Sequence, residues 1–449
     1  MTEHNNHRIT GTAAIKTLID LAGPSVAAGA VARRRETVGL LERFQADQRS
    51  VDRLRELRAR YGRGPVELVI PGRRVIVPLD PDDVAEVLAG APTPFDPANR
   101  EKHRALQQFQ PHAVLITRGA LRAPRRALNE QVLDTPVSVH HLSEPFTDVI
   151  ATETAKFAAV ALERGGFDAA RFTTMWWRVV RQIVLGPSAR NDDAVTDELW
   201  RLRRAGNWSF AVPQHRRRRA RFLQRLRHYA ADPEPESLLG ALCAADASDA
   251  VDPIGQIPHW LFAFDAAGMA TIRTLALLTA HRGTLHRCEI DELNIPQVRP
   301  YLQAAVQESL RLWPTTPVLL RDTTTETTWH TGEDELRVDA GAMVLICVPA
   351  FHRDDTTMEF ADRFEPDIWL DGRAESHPQL VPFSAGPAEC PGRNLVLFST
   401  STALAHLLRQ LEIKLVTSTL RPEEPLPLTL NQFGLEFAAA PAWLRLVSR

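Results

Sequence analysis

The chain has 449 residues, with 53 Lys and Arg against 55 Asp and Glu and a formal net charge of −2. So even a balance leaves no overall electrostatic footprint for nucleic acid. A content of 44% hydrophobic and 24% charged residues excludes a disordered chain and fits a globular protein with a large core. Four cysteines, none in a CxxC pair, exclude a disulfide scaffold and fit the reduced thiols of a cytoplasmic protein.

Residues 1–40 read as an N-terminal segment ahead of a single domain over 41–449. Residues 12–32 are rich in Ala, Ile, Leu and Val, but Lys16, Asp20 and Pro24 interrupt the run that a membrane span needs. No basic leader precedes a short apolar stretch, so the sequence predicts neither a secretory signal nor a stable membrane anchor. Residues 66–78 form two β-rich runs around Pro71-Gly72, the pattern of a hairpin. Asp80 then opens a helix, with Pro81 in its first turn and Val84, Val87 and Leu88 at helical spacing. From about 120 to 312 the pattern is mainly helical, and its Gly and Pro breaks read as loops. The basic run at 215–221 reads as a solvated helix face. Residues 259–281 are apolar nearly all round, with charges only at Asp265 and Arg273, which places this helix in the middle of the protein. Strands follow at 318–321, 335–338 and 343–348, then a helix over 394–411 and a strand-rich tail. The fold class is mainly α with smaller β-sheets (α+β).

The strongest local signal is Pro382-Phe383-Ser384-Ala385-Gly386-Pro387-Ala388-Glu389-Cys390-Pro391-Gly392-Arg393. Glycines allow a tight loop that presents one sulfur. The helix that follows offers unpaired N–H groups and a positive dipole end, both of which favour a thiolate. Phe383, Gly386, Cys390 and Gly392 resemble the haem-binding loop of the cytochrome P-450 superfamily, aromatic-x-x-Gly-x-x-x-Cys-x-Gly. The resemblance implies a triangular helical prism around a buried haem b, with Cys390 as axial ligand of the iron and Phe383 near the sulfur. A thiolate ligand favours O–O cleavage.

Three further elements resemble that family in order and spacing. Glu308-Ser309-Leu310-Arg311 places two ionic side chains on one helix face. With Arg363 of Asp362-Arg363-Phe364-Glu365-Pro366, the resemblance implies a structural triad of Glu308, Arg311 and Arg363. Arg321 and Arg125 are implied as partners of the haem propionates, which call for cationic donors. In Ala267-Gly268-Met269-Ala270-Thr271, the resemblance implies that small Ala267 and Gly268 admit dioxygen and that Thr271 bonds to it. The bland alternative for Thr271 is a hydroxyl bonded back to its own helix.

Three positions depart from the pattern. Ala388 and Leu121 stand where the family places propionate donors, and Ala270 stands where it places an acid. Asp265, six residues before Thr271, lies about 240° around a regular helix and points elsewhere. The function implied is a monooxygenase acting on a small apolar or natural-product-like substrate. Separate ferredoxin and ferredoxin reductase would supply electrons, and the protein would act as a monomer. Arg122, Arg126 and Arg393 would attract the acidic ferredoxin. The alternatives are an oxidative coupling, peroxygenase or other non-hydroxylating enzyme, and a non-catalytic haem-binding homologue. Candidate substrate walls are the 95–118 loop, residues 208–210, Phe264, Ala267, Pro317-Val318 and Gln432-Phe433-Gly434.

Overall fold

The computed structural model describes residues 7–332, 334–417 and 420–442. The N-terminal third runs β1 (Arg8–Thr10), α1 (Gly11–Ala28), α2 (Arg35–Arg43), α3 (Gln48–Tyr61), β2 (Val66–Ile70), β3 (Arg73–Val77), α4 (Pro81–Ala89), β4 (Phe95–Asp96) and α5 (Arg100–Leu106). The helical body follows with α6 (Arg122–Val132), α7 (Ser143–Arg164), the short β5 (Gly166–Asp168), α8 (Ala169–Leu185), α9 (Asp193–Gly206), α10 (Arg216–Ala231), α11 (Leu238–Ala244), α12 (Ile257–Ala280) and α13 (Pro300–Leu312). The last part holds β6 (Val318–Thr323), β7 (Thr327–Thr331), β8 (Asp334–Val338), β9 (Met343–Cys347), α14 (Val348–His352), α15 (Arg393–Gln410), β10 (Leu411–Leu415) and β11 (Glu436–Pro441).

The expected hairpin is β2–β3, with Ile70 opposite Arg73 across Pro71-Gly72. Gly72 takes a φ of 72°, as the second central residue of a Pro-Gly turn requires. Asp80 caps α4 by accepting a hydrogen bond from the Asp82 N–H at 2.9 Å, one residue ahead of Pro81. The hairpin sits inside a six-stranded sheet of order β1-β2-β3-β9-β6-β4, whose apolar face packs on α1, α3 and α14. β1 joins β2 in parallel, so residues 8–10 of the N-terminal segment are part of this sheet. β7, which alternation did not reveal, pairs with β8.

α12 crosses the helical body and packs on α8, α13 and α15. Its apolar circumference is buried as expected, with Leu261, Leu275, Leu277 and Leu278 fully covered. The basic run lies on α10, where Arg216, Arg217 and Arg221 are exposed, the solvated face the sequence predicts. Sheet and body meet at the loop that carries Cys390. That loop lies between α4, the C-terminal end of α6 and the N-terminus of α15.

Candidate active site

The cysteine loop is fixed from both sides. Gly386 has a φ of 67°, and a Cβ there would lie 2.3 Å from the Leu88 carbonyl at the end of α4. Only glycine meets both conditions. Ser384 also takes a positive φ, of 63°, a strained value for a residue with a Cβ. The Cys390 N–H donates to the Phe383 carbonyl at 3.0 Å, closing the loop around the sulfur. The Phe383 ring packs against the main core. Thr135 donates to the Pro391 carbonyl at 2.7 Å, and Asn394 donates to the carbonyls of Thr135 and Val137, so the end of α6 clamps the far side. Gly392 has no neighbour closer than 3.8 Å to a Cβ position, so its contribution is the N–H it gives the sulfur.

Burial pushes the Cys390 thiol up. The Gly392 N–H, Arg126 and Arg393 oppose that rise, and Glu389 adds to it, with a net upward direction. The Gly392 N–H at the start of α15 acts in the direction the sequence predicts, favouring the thiolate, and desolvation acts against it. A coordinated cation deprotonates such a thiol outright. Arg126 donates to the Glu389 carbonyl at 2.6 Å and pairs with Glu130, while Arg393 pairs with Glu389 at 3.1 Å. Both frame the outer side of the loop. Arg122 does not join them: it turns inward, donating to the Val114 carbonyl at 3.2 Å.

Above the loop, Lys102 of α5, Arg122 of α6 and Arg321 of β6 lie close enough to repel one another. Burial pulls Lys102 well below the ordinary lysine range, and Arg321 adds to that; burial, then Arg122, push Arg321 down to about 10. None of the three has a carboxylate within ion-pair distance among the described residues, since Asp96 and Asp322 are taken by Arg118 and Arg73. Lys102 donates to the Pro97 and Leu320 carbonyls, and Arg321 to Leu320 and the Ser384 hydroxyl. The Arg321 Nε is buried without a hydrogen-bond partner. Unpaired cations withdrawn from water are costly, and buried Arg321 with half-buried Lys102 and Arg122, beside the half-buried Cys390, fits a group carrying two carboxylates. Arg321 lies in this cluster on β6. Arg125 does not: its guanidinium bonds the Val251 carbonyl at 2.9 Å and Thr117 at 2.8 Å, tying the chain ahead of α6 to the chain ahead of α12. Lys102 and Arg122 join Arg321 in this cluster, whereas Ala388 and Leu121 offer no cationic group. Substituting Lys102→Gln or Arg321→Gln should lower the haem content of purified protein several-fold, measured as the Soret-to-protein absorbance ratio.

On α12, Thr271 is fully buried and its hydroxyl donates to the Ala267 carbonyl at 2.8 Å. This is the back-bonded geometry of the bland alternative. The hydroxyl oxygen keeps its acceptor capacity. Gly268 is small for a different reason than expected. A Cβ there would lie 2.5 Å from the Trp176 ring of α8, whose indole N–H donates to the Phe264 carbonyl at 2.7 Å. The space is filled by tryptophan, not left open. Gly268→Ala should cost about 1–3 kcal/mol through overpacking, read from the urea midpoint. The cost should shrink in a Trp176→Phe background, because the two sites touch. Asp265 faces away from Thr271 and pairs with Arg203 of α9 at 2.7 Å.

The Glu308–Arg311 pair is fully buried, with two hydrogen bonds of 2.6 and 2.8 Å. Arg311 also donates to the carbonyls of His352, Phe360, Ala361 and Arg363. Arg363 therefore enters the network through its backbone oxygen. Its guanidinium turns out to the Glu359 carbonyl, so it is not the third side chain of a triad. Glu308 instead accepts from the Glu365 N–H at 2.9 Å and the Trp369 indole at 3.1 Å.

His352, unremarked in the sequence, links this network to the cysteine loop. Its Nδ1 bonds the Arg311 carbonyl at 3.2 Å and its Nε2 accepts from the Val381 N–H at 3.0 Å. Burial, then the Arg311 charge, push it down to about 3. A histidine depressed in the fold contributes stability above its unfolded value of about 6.5. That stability is lost as pH falls toward 3, by up to ~1.4 kcal/mol per unit. Stability measured from pH 7 to 4 should fall less steeply in His352→Gln.

A model of the family described as cytochrome P450 matches residues 286–436. That segment holds Glu308, Arg311, Arg321, Arg363 and Cys390, but not Lys102, Arg125 or Thr271. Curated relatives include probable cytochrome P450 4s3 of Drosophila melanogaster, 34% identical over 111 residues, 24% of this chain and 22% of that one. Tabersonine 6,7-epoxidase isoform 1 of Catharanthus roseus is 32% identical over 138 residues, 30% of this chain and 26% of that one. The chain thus spans between 22% and 37% of the length of the curated relatives it matches. Solved structures extend the likeness. A cytochrome P450 described as CYP102L1 aligns with a TM-score of 0.69 at 18% identity, over 87% of this chain and 94% of that one. The retinoic-acid-bound cyanobacterial CYP120A1 aligns with a TM-score of 0.67 at 17% identity, over 86% and 93%. The architecture is therefore that of the cytochromes P450. In sequence, the C-terminal segment 286–436 matches that family. Members bind haem b through a cysteine thiolate, and Cys390 with the Lys102–Arg122–Arg321 cluster fits that group.

Proposed function

We propose that this protein is a haem-thiolate monooxygenase that oxidises a small apolar organic substrate. The observation that carries the reading is the juxtaposition of one half-buried, loop-presented sulfur with three cations, buried Arg321 and half-buried Lys102 and Arg122, that lack carboxylate partners among the described residues. Cys390 would hold the iron, and Lys102, Arg122 and Arg321 would hold the propionates. Haem bound in this way supplies the reductive activation of dioxygen. The chain's own residues orient and shield. The apolar face of α12 excludes water, and Thr271 offers a hydroxyl oxygen as acceptor. With Ala270 in place of an acid and Asp265 held by Arg203, the helix supplies no carboxylate for proton delivery, so water or the substrate would carry protons. That vacancy favours a second reading, oxidative coupling without oxygen insertion.

The relatives' names include an epoxidase of a plant natural product, which supports a natural-product-like substrate here. Separate ferredoxin and ferredoxin reductase would deliver electrons at the face framed by Arg126 and Arg393, to a cytoplasmic monomer. The test begins with the reduced, carbon monoxide-treated protein, which should show the Soret band of thiolate-ligated haem. Turnover under labelled dioxygen follows: label in the product marks a monooxygenase, and an oxidised product without label marks coupling.

A further inference from the structure

The Cys390 sulfur has few backbone donors to draw on. Pro391, the next residue, has no N–H to give, and the Arg393 N–H goes to the Cys390 carbonyl at 3.3 Å. The Gly392 N–H faces the sulfur. That N–H belongs to the Pro391–Gly392 peptide, and the carbonyl at the other end of the same peptide accepts from the Thr135 hydroxyl at 2.7 Å. The two contacts therefore lie at opposite ends of one planar unit joined by resonance. A hydrogen bond accepted by the carbonyl polarises the N–H and strengthens the bond that it donates in turn.

Thr135 is held so that its hydroxyl meets that carbonyl. It lies half-buried in the turn after α6, where its N–H donates to the Glu130 carbonyl at 3.1 Å and its carbonyl accepts from the Asn394 side chain at 3.0 Å. Asp134, just before it, takes a left-handed φ of 49°. The Asp134 carboxylate accepts from the His141 N–H at 2.7 Å and lies 2.6 Å from the His141 Nδ1. Buried His140 locks the turn from within: its Nδ1 accepts from the Leu142 N–H at 3.0 Å, so its Nε2 donates to the Val132 carbonyl at 2.9 Å. For merely tying α15 to this turn the Thr135 hydroxyl is redundant, because Asn394 already bonds the carbonyls of Thr135 and Val137.

We propose that Thr135 is a positioning residue for the iron ligand, its hydroxyl acting through the Pro391–Gly392 peptide to strengthen the N–H bond to the Cys390 sulfur and so to limit the electron density which that sulfur gives to bound haem. This role rests on the reading of Cys390 as the haem ligand. Hydrogen bonds from outside the ligand shell are one of the means by which a protein sets the potential of a bound iron centre. A sulfur that gives less density favours the ferrous form, so Thr135 raises the potential.

Thr135→Val keeps the shape of the side chain and removes the O–H. Spectroelectrochemical titration of the haem-loaded protein should show the ferric–ferrous equilibrium moved toward ferric by about two- to threefold, the size expected from weakening one charge-assisted bond by about 10–30%. At 59 mV per tenfold for one electron, that is about 18–28 mV. Thr135→Ser, which keeps the hydroxyl, should return the potential to that of the unmodified protein. A second measurement needs no haem: with isotope-labelled glycine, the Gly392 amide proton resonance should move upfield in Thr135→Val and stay in place in Thr135→Ser. If Thr135→Val folds poorly, Thr135→Ala set against Thr135→Ser gives the same comparison. An unchanged potential in Thr135→Val, or an equal change in Thr135→Ser, would overturn the proposal. A lower melting temperature with no change in potential or amide resonance would do so too, since it marks a purely structural contact. If the unmodified protein shows no thiolate-type Soret band, the haem reading fails by itself, and the Gly392 resonance still decides whether the peptide couples Thr135 to the sulfur.

Discussion

Cys390→Ala should abolish the thiolate-type Soret band of the carbon monoxide-treated, reduced protein completely, whereas Cys347→Ala and Cys243→Ser should leave it intact. The contrast follows from where the four sulfurs sit. Cys347 is fully buried in the central sheet, its sulfur bonded to the Leu21 carbonyl, and burial pushes it up to about 11. Cys243 is exposed on α11, and Cys288 is buried beside the main core, within 4.0 Å of the Thr284 carbonyl. Only Cys390 combines a loop that presents the sulfur, an N–H aimed at it from Gly392 and flanking cations from Arg126 and Arg393. A histidine-type spectrum in the unmodified protein, or survival of the thiolate band in Cys390→Ala, would sink the assignment. Partial retention of haem in the variant would be consistent with it, because Lys102, Arg122 and Arg321 would still be in place to hold the propionates.

What could be read in advance was what neighbouring residues decide. The cysteine loop is legible because Gly386 and Cys390 are four residues apart and the closest backbone approach falls on the glycine. The Glu308–Arg311 pair is legible because residues three apart on a helix share a face. Lys102 was illegible. Its place beside Arg321 depends on the pairing of β4 with β6 and on a contact with the Leu320 carbonyl, 218 residues away. Arg125 and Arg122 are both on α6, and their spacing alone did not say which faces inward. Gly268 could be read as small, but not that Trp176 occupies the space. Arg363 shows the same limit: the sequence gives the side chain, while the fold uses its backbone oxygen and assigns the side-chain contact to Trp369.

That substitution of roles sets the second large effect, at Arg311. Removing this guanidinium by Arg311→Ala should destabilise the protein by about 3–5 kcal/mol, the range for breaking a buried ion pair by deleting one partner. Against a typical domain stability of about 5–15 kcal/mol, such a loss should appear as poor expression, low haem content and a urea midpoint shifted far down. The reason is geometric. Arg311 supplies both hydrogen bonds to the Glu308 carboxylate from a planar fork, and reaches four backbone carbonyls in the 352–363 segment that leads toward the cysteine loop. Lysine has three donors on a single nitrogen and no fork. Arg311→Lys should therefore recover only part of the stability. Trp369→Phe removes one bond to the same carboxylate and should cost less, about 1.5–3 kcal/mol. Arg363→Ala keeps the carbonyl that Arg311 uses and should change stability by no more than about 0.5 kcal/mol, as surface substitutions do. A loss in Arg363→Ala comparable to that in Arg311→Ala would restore the side-chain triad and refute the backbone role assigned here.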